Sequence, residues 1–92
     1  VDDSWALAQA LRGAGLLDEA FAVSRELAMR DHGPAAFAIA EMYDPRGWRS
    51  DSSPFSKPNA AKAGDWYGRA AAQGVPGAAE EAAAMRRHSG DQ

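Results

Sequence analysis

The 92-residue chain holds few side chains suited to catalysis: two histidines, no cysteine and thirteen Asp or Glu residues. His32 and His88 are far apart, each beside a predicted helix end, where a cationic ring offsets the negative carbonyl end of the helix dipole. Neither stands at a metal-binding spacing from a second ligand, and no nucleophile turn occurs. Asp44 and Asp65 could be paired on paper. However, Asp44 precedes Pro45 and reads as a cap or turn residue, while Asp65 falls on the polar face of a helix. Without cysteine there is no disulfide framework, thiolate zinc site or thiol nucleophile. The expectation is a non-enzymatic chain with no metal and no cofactor.

Recognition chemistry is the alternative, and five residues are candidates for it. Trp48, Arg49 and Phe55 lie in a stretch rich in proline and serine, and Trp and Arg are enriched at binding hot spots. They either meet a partner or fold back as a hydrophobic plug. Phe37 lies off the main apolar stripe of its helix, so it either packs on the first helix or lines a groove, with Glu41 beside it on the polar side. Trp66 and Tyr67 are adjacent rings in an alanine-rich helix, a setting in which rings are core rather than a ligand cage. Arg12, Arg25 and Arg69 are expected on solvated faces or in surface pairs with Glu19, Glu26 and Asp65, which contribute little.

Five helices must position these residues. Residues 3–14 form an apolar stripe through Trp5, Ala8 and Leu11, with Ser4 as a possible cap and Gly13 and Gly15 at the end. Residues 16–30 follow, with Asp18 and Glu19 early and Arg30 late. Residues 34–44 open with Pro34 and present Ala36, Ile39, Ala40 and Tyr43 on one face. Residues 45–58 are a loop, 59–73 a helix capped by Asn59, and 76–87 a helix again opened by proline, with a frayed tail after it. No period-two pattern suggests a strand. The fold class is all-α, with two helix pairs and a terminal helix in a single domain over residues 1–88.

The chain also matches itself at an offset of about 43 residues. Ala20 falls on Ala63, Val23 on Trp66, Ala28 on Ala71, Ala35 on Ala78 and Met42 on Met85. Small residues align with small and bulky with bulky, as in an α-solenoid in which alanines admit close helix approach and rings fill the gaps between units. At this point Asn59, Lys62, Ala63, Trp66, Tyr67, Arg69, Ala70, Ala71, Gln73, Gly74 and Ala78 complete a pattern that resembles the Sel-one-like repeats, relatives of the tetratricopeptide repeats. Upstream, Ala35, Ile39, Ala40 and Tyr43 resemble the helix that opens such a unit, with Ala40 where glycine is usual. The loop departs from the family's glycine-rich turn. The match is specific over residues 35–78 and loose before that, so 34–74 reads as the repeat, 3–33 as a degenerate first pair, 76–88 as a terminal helix and 89–92 as a flexible tail.

The resemblance implies an α/α superhelix that serves as a protein-binding scaffold, within a bacterial signalling, envelope or polarity protein. The alternative is a spacer or self-association unit. Abundant Ala, Gly and Arg suit a GC-rich bacterial genome, and a start at Val1 suggests a fragment or processed product. The net charge of −3 argues against nucleic acid as partner, and no run of about 18 apolar residues suggests membrane insertion. A soluble part of a cytoplasmic or a periplasmic protein fits equally. The expected partner is another protein or a second copy of this chain.

Overall fold

The computed structural model describes residues 2–51 and 53–90. It is all-helical: α1 is Asp2–Gly13, α2 Leu17–Met29, α3 Gly33–Tyr43, α4 Ala60–Ala72 and α5 Ala78–Gly90. No strand occurs among the described residues. Each helix packs on the next in sequence, giving a slab of 38 × 29 × 17 Å.

Three of the four connections share one solution. At the end of α1, α2 and α4 a residue takes a left-handed backbone: Gly15 (φ 82), Asp31 (φ 65) and Gly74 (φ 80). The next N–H then closes the helix by donating back to a carbonyl: Leu16 to Leu11 at 2.9 Å, His32 to Leu27 at 3.1 Å and Val75 to Ala70 at 3.1 Å. Asp31 and Gly74 stand at the same offset as the sequence repeat, and Asp31 occupies a conformation that glycine takes more cheaply.

Several local expectations change. Asp2 already begins α1, so Ser4 lies inside the first turn rather than capping it. His32 does not compensate the end of α2; its Nδ1 accepts from the N–H of Ala35 at 3.2 Å and caps α3. His88 does fall in the last turn of α5. Asn59 caps α4 by accepting from the N–H of Lys62 at 3.0 Å. Pro76 does not open α5, because Gly77 (φ 84) extends the turn and the helix starts at Ala78. Its far end runs to Gly90, through part of the segment expected to fray, while residues 91 and 92 lie outside the described residues.

Alanine dominates the core. One cluster joins Leu27, Ala28, Ala35, Ala36, Ile39, Ala70 and Ala78, and the other joins Ala40, Ala63, Tyr67, Ala82 and Met85. Phe37, Tyr43 and Trp66 pack against both. Small side chains let the helices approach closely, and dispersion over many short contacts stands in for large apolar residues.

Among the glycines, the tightest contact is at Gly33, the first residue of α3. A Cβ there would lie 2.6 Å from Val75 Cγ2 and 2.9 Å from Gln73 Cβ, so the turn before α5 rests directly on the α3 backbone. Gly33→Ala is expected to destabilise by about 1–3 kcal/mol through overpacking. Gly68→Ala, in α4 with nothing within 4 Å of the new methyl, is expected to stabilise by about 0.5–1 kcal/mol. Thermal unfolding followed by circular dichroism separates them, and equal shifts for the two would contradict this packing.

Candidate functional site

α3 ends at Asp44, whose backbone turns extended and leaves the helix for the long loop. Its side chain is buried, 8% exposed, and the carboxylate gathers four donors. Oδ1 accepts from the backbone N–H of Arg46 at 2.9 Å and from its Nε at 3.0 Å. Oδ2 accepts from the Arg46 guanidinium at 2.6 Å and from the Tyr67 hydroxyl at 2.7 Å. The same guanidinium reaches across to Glu81 on α5 at 2.8 Å. One carboxylate thus ties together α3, the loop and α4, and through Arg46 also α5.

The charges follow from this geometry. Burial pushes the Asp44 carboxyl up, but the hydrogen bonds from Arg46 and Tyr67 outweigh it and hold the group below its ordinary value of 3.8. Burial, and then the bond to Asp44, raise the Tyr67 phenol. Glu41 is the opposite case. Burial raises it most, Arg12 draws it back, and the nearby charges of Asp44 and Glu81 push it up again, leaving it above 4.5.

Two clefts meet around this network on the face shared by the odd-numbered helices. One, of about 420 Å³, is lined by Arg12, Glu41, Asp44, Arg46, Trp48 and Glu81 among others. The second, of about 280 Å³, is more apolar and includes Trp5, Ala8, Phe37 and Val75. Arg12, Glu41 and Met42 border both, so the two clefts adjoin and together make a trough from α1 towards the loop.

Of the five residues singled out from the sequence, three come together here: Phe37, Glu41 and Trp48. Phe37 lines the trough with Trp5 and Ala8 of α1, and its ring meets Tyr67 of α4 edge-on at 5.1 Å, a packing partner other than the first helix expected from the sequence. Trp48 is half-buried, and its indole N–H is closed off from solvent without an acceptor. The other two are elsewhere. Arg49 is exposed and bonded to Asp51 at 3.2 Å. Phe55 is half-buried and folds back on the helices, stacked on Tyr43 at 3.9 Å and edge-on to Phe21 at 5.0 Å.

The expected surface pairs are also redrawn. Glu26 pairs with Arg30 at 3.3 Å rather than with Arg25. Arg69 lies over the Trp66 ring at 5.7 Å and forms no ion pair with Asp65, and Arg12 faces the trough. Asp44 and Asp65 form no pair, for Asp44 is occupied by Arg46 and Tyr67.

Asp44, Arg46, Tyr67 and Glu81 were not among the site residues expected from the sequence. The short Asp44-Pro45-Arg46 turn was the one visible sign of them. Among the described residues no group of three or more His, Asp or Glu side chains could hold a metal, and no helix is long and apolar enough to cross a membrane. Comparisons with family models, with curated proteins and with solved structures find no match.

Proposed function

We propose that this chain is a non-enzymatic protein-interaction module that holds an extended segment of another protein in the trough of the odd-numbered helices. The observation that carries the reading is that the two clefts adjoin, sharing Arg12, Glu41 and Met42 as lining residues. An apolar side chain of the segment fits between Trp5 and Phe37, and a basic one fits beside Glu41, since Glu81 is already held by Arg46. Glu41 is exposed to solvent in the cleft and feels the charges of Asp44 and Glu81 as well as that of Arg12, and an arriving ammonium or guanidinium offsets the repulsion from the two carboxylates. The resemblance of residues 35–78 to Sel-one-like repeats supports the same use and suggests a bacterial signalling, envelope or polarity protein as the parent.

The test is selection of displayed peptides on the immobilised chain. The expected result is a family of peptides with an apolar residue near a basic one, whose binding is lost in Phe37→Ala and in Glu41→Lys. Selected peptides that bind both variants as well as the parent chain would sink the proposal.

A second reading, self-association, rests on the exposure of Leu7 (51%), Leu16 (45%) and Met29 (42%) along the first helix pair. Sedimentation analysis of the chain alone decides it: a monomer at high concentration removes this reading.

A further inference from the structure

Apart from the trough, and sharing no residue with it, α2 and α4 border another cleft of the reverse character. Phe21, Arg25 and Met29 follow one another at intervals of four along α2, and so share one side of that helix. Lys62, Trp66 and Arg69 do the same on α4 at intervals of four and three. The two rows border one cleft of about 370 Å³, and Tyr43 of α3 also lines it. Tyr43 is fixed there by its stack on Phe55.

Three cations therefore border a cleft lined by aromatic rings. Arg69 lies over Trp66 at 5.7 Å and Lys62 over Tyr43 at 5.7 Å. Neither these two nor Arg25 forms an ion pair among the described residues, although Asp65 also lines the cleft. A guanidinium held over an indole loses less freedom on meeting a carboxylate and keeps its outer N–H donors for it. Met29 at 42% exposure and the half-buried Phe21 and Trp66 add apolar surface between the charges.

We propose that this cleft binds a short acidic peptide segment in which an aspartate or glutamate flanks an apolar side chain. The carboxylates meet Arg25, Lys62 and Arg69, and the apolar side chain lies against Trp66 and Met29. A long polyanion such as DNA is a poorer fit. It extends beyond the three cations onto a chain whose net charge is −3 and whose acids it repels. The site is distinct from the trough, and the two select segments of opposite charge.

The experiment is fluorescence anisotropy of a labelled twelve-residue peptide, rich in Glu and carrying a single Leu, titrated with the whole chain at low salt. Saturable binding is expected, weakening as salt screens the charges. The double variant Arg25→Gln with Arg69→Gln is expected to lose about tenfold in affinity. The control, Arg30→Gln with Arg87→Gln, removes the same charge outside the cleft and is expected to stay within about twofold. Lys62→Gln, a third cleft variant, replaces the double variant if circular dichroism shows that the latter is unfolded. No saturation up to about 1 mM chain overturns the proposal. An equal loss in the control also overturns it, since attraction by overall charge then explains the binding. So does equal affinity for a single-stranded DNA of twelve nucleotides, which would make the cleft a general anion surface.

Discussion

Replacing Tyr67 with alanine is expected to cost about 3–5 kcal/mol, within the range for truncating a buried ring and a large fraction of the stability of any small domain. Tyr67 is 2% exposed and packs in the cluster of Ala40, Ala63, Ala82 and Met85, with Phe37 against its ring. No other ring enters that cluster as a fully buried member, so its loss leaves a cavity that alanines cannot close. Tyr67→Phe separates the ring from its hydroxyl. It is expected to cost only about 1–2 kcal/mol, because Arg46 still satisfies the Asp44 carboxylate. Trp66→Ala, at a half-buried position, is expected to cost less than Tyr67→Ala. Urea unfolding of the three variants measures this order. A Phe variant as unstable as the Ala variant would mean that the hydroxyl, not the ring, holds the helices together.

The second large effect belongs to Asp44. Asp44→Ala leaves the Tyr67 hydroxyl without its acceptor and takes from Arg46 its closest partner. The Arg46 side chain is 44% exposed and recovers part of its loss from water. A cost of about 2–3 kcal/mol follows, below that of breaking a wholly buried pair.

The pH dependence carries a sign that identifies the group. The folded state holds the Asp44 carboxyl below 3.8, so the unfolded chain takes up the proton first as pH falls. Its stabilisation is complete above that value and is lost as pH drops through the lower folded-state value. Asp44→Asn is therefore expected to flatten the acid limb of a stability–pH curve. Glu41 has the opposite sign. Its folded-state value is raised above 4.5, so the folded protein is penalised as pH rises through that range, and Glu41→Gln is expected to stabilise at neutral pH. An unchanged acid limb in Asp44→Asn would contradict the donor arrangement around this carboxylate.

The elements that were legible in the sequence are those with local causes. Glycine at positions 15 and 74, Pro34 and Asn59 act within a turn of themselves, and the helices they bound lie within about two residues of expectation at most ends. What could not be read depends on partners brought together by the fold. Asp44 meets Tyr67 and Arg46 meets Glu81 across 23 and 35 residues, and nothing in the spacing of those residues announces it. The adjacent rings show the same limit. Trp66 and Tyr67 differ by about 100° around the helix, and which of them enters the core depends on how α4 is rotated against its neighbours. Both rings lie within the one apolar stripe of α4, with Ala63, Ala70 and Ala71, so the stripe alone does not say which ring is central. Phe37, Glu41 and Trp48 were singled out by type and position, and the trough they share arises only when the odd-numbered helices align on one side.

The loop between α3 and α4 leaves the slab and returns to it at nearly the same point, for the N–H of Asn59 donates to the carbonyl of Tyr43 at 2.8 Å. Its return path is fastened by Ser53, whose hydroxyl donates to the Met42 carbonyl at 2.9 Å, and by Phe55 in its aromatic stack. Its outward path is fastened by Arg46 on Asp44. Length can therefore change between Arg46 and Ser53 without altering how α3 meets α4. Doubling a flexible loop costs only about 0.6 kcal/mol in closure entropy. This short span, which includes Trp48 at the edge of the trough, is a place where related chains can exchange recognition residues while the helical frame stays the same, and where a tag or a foreign epitope can be inserted.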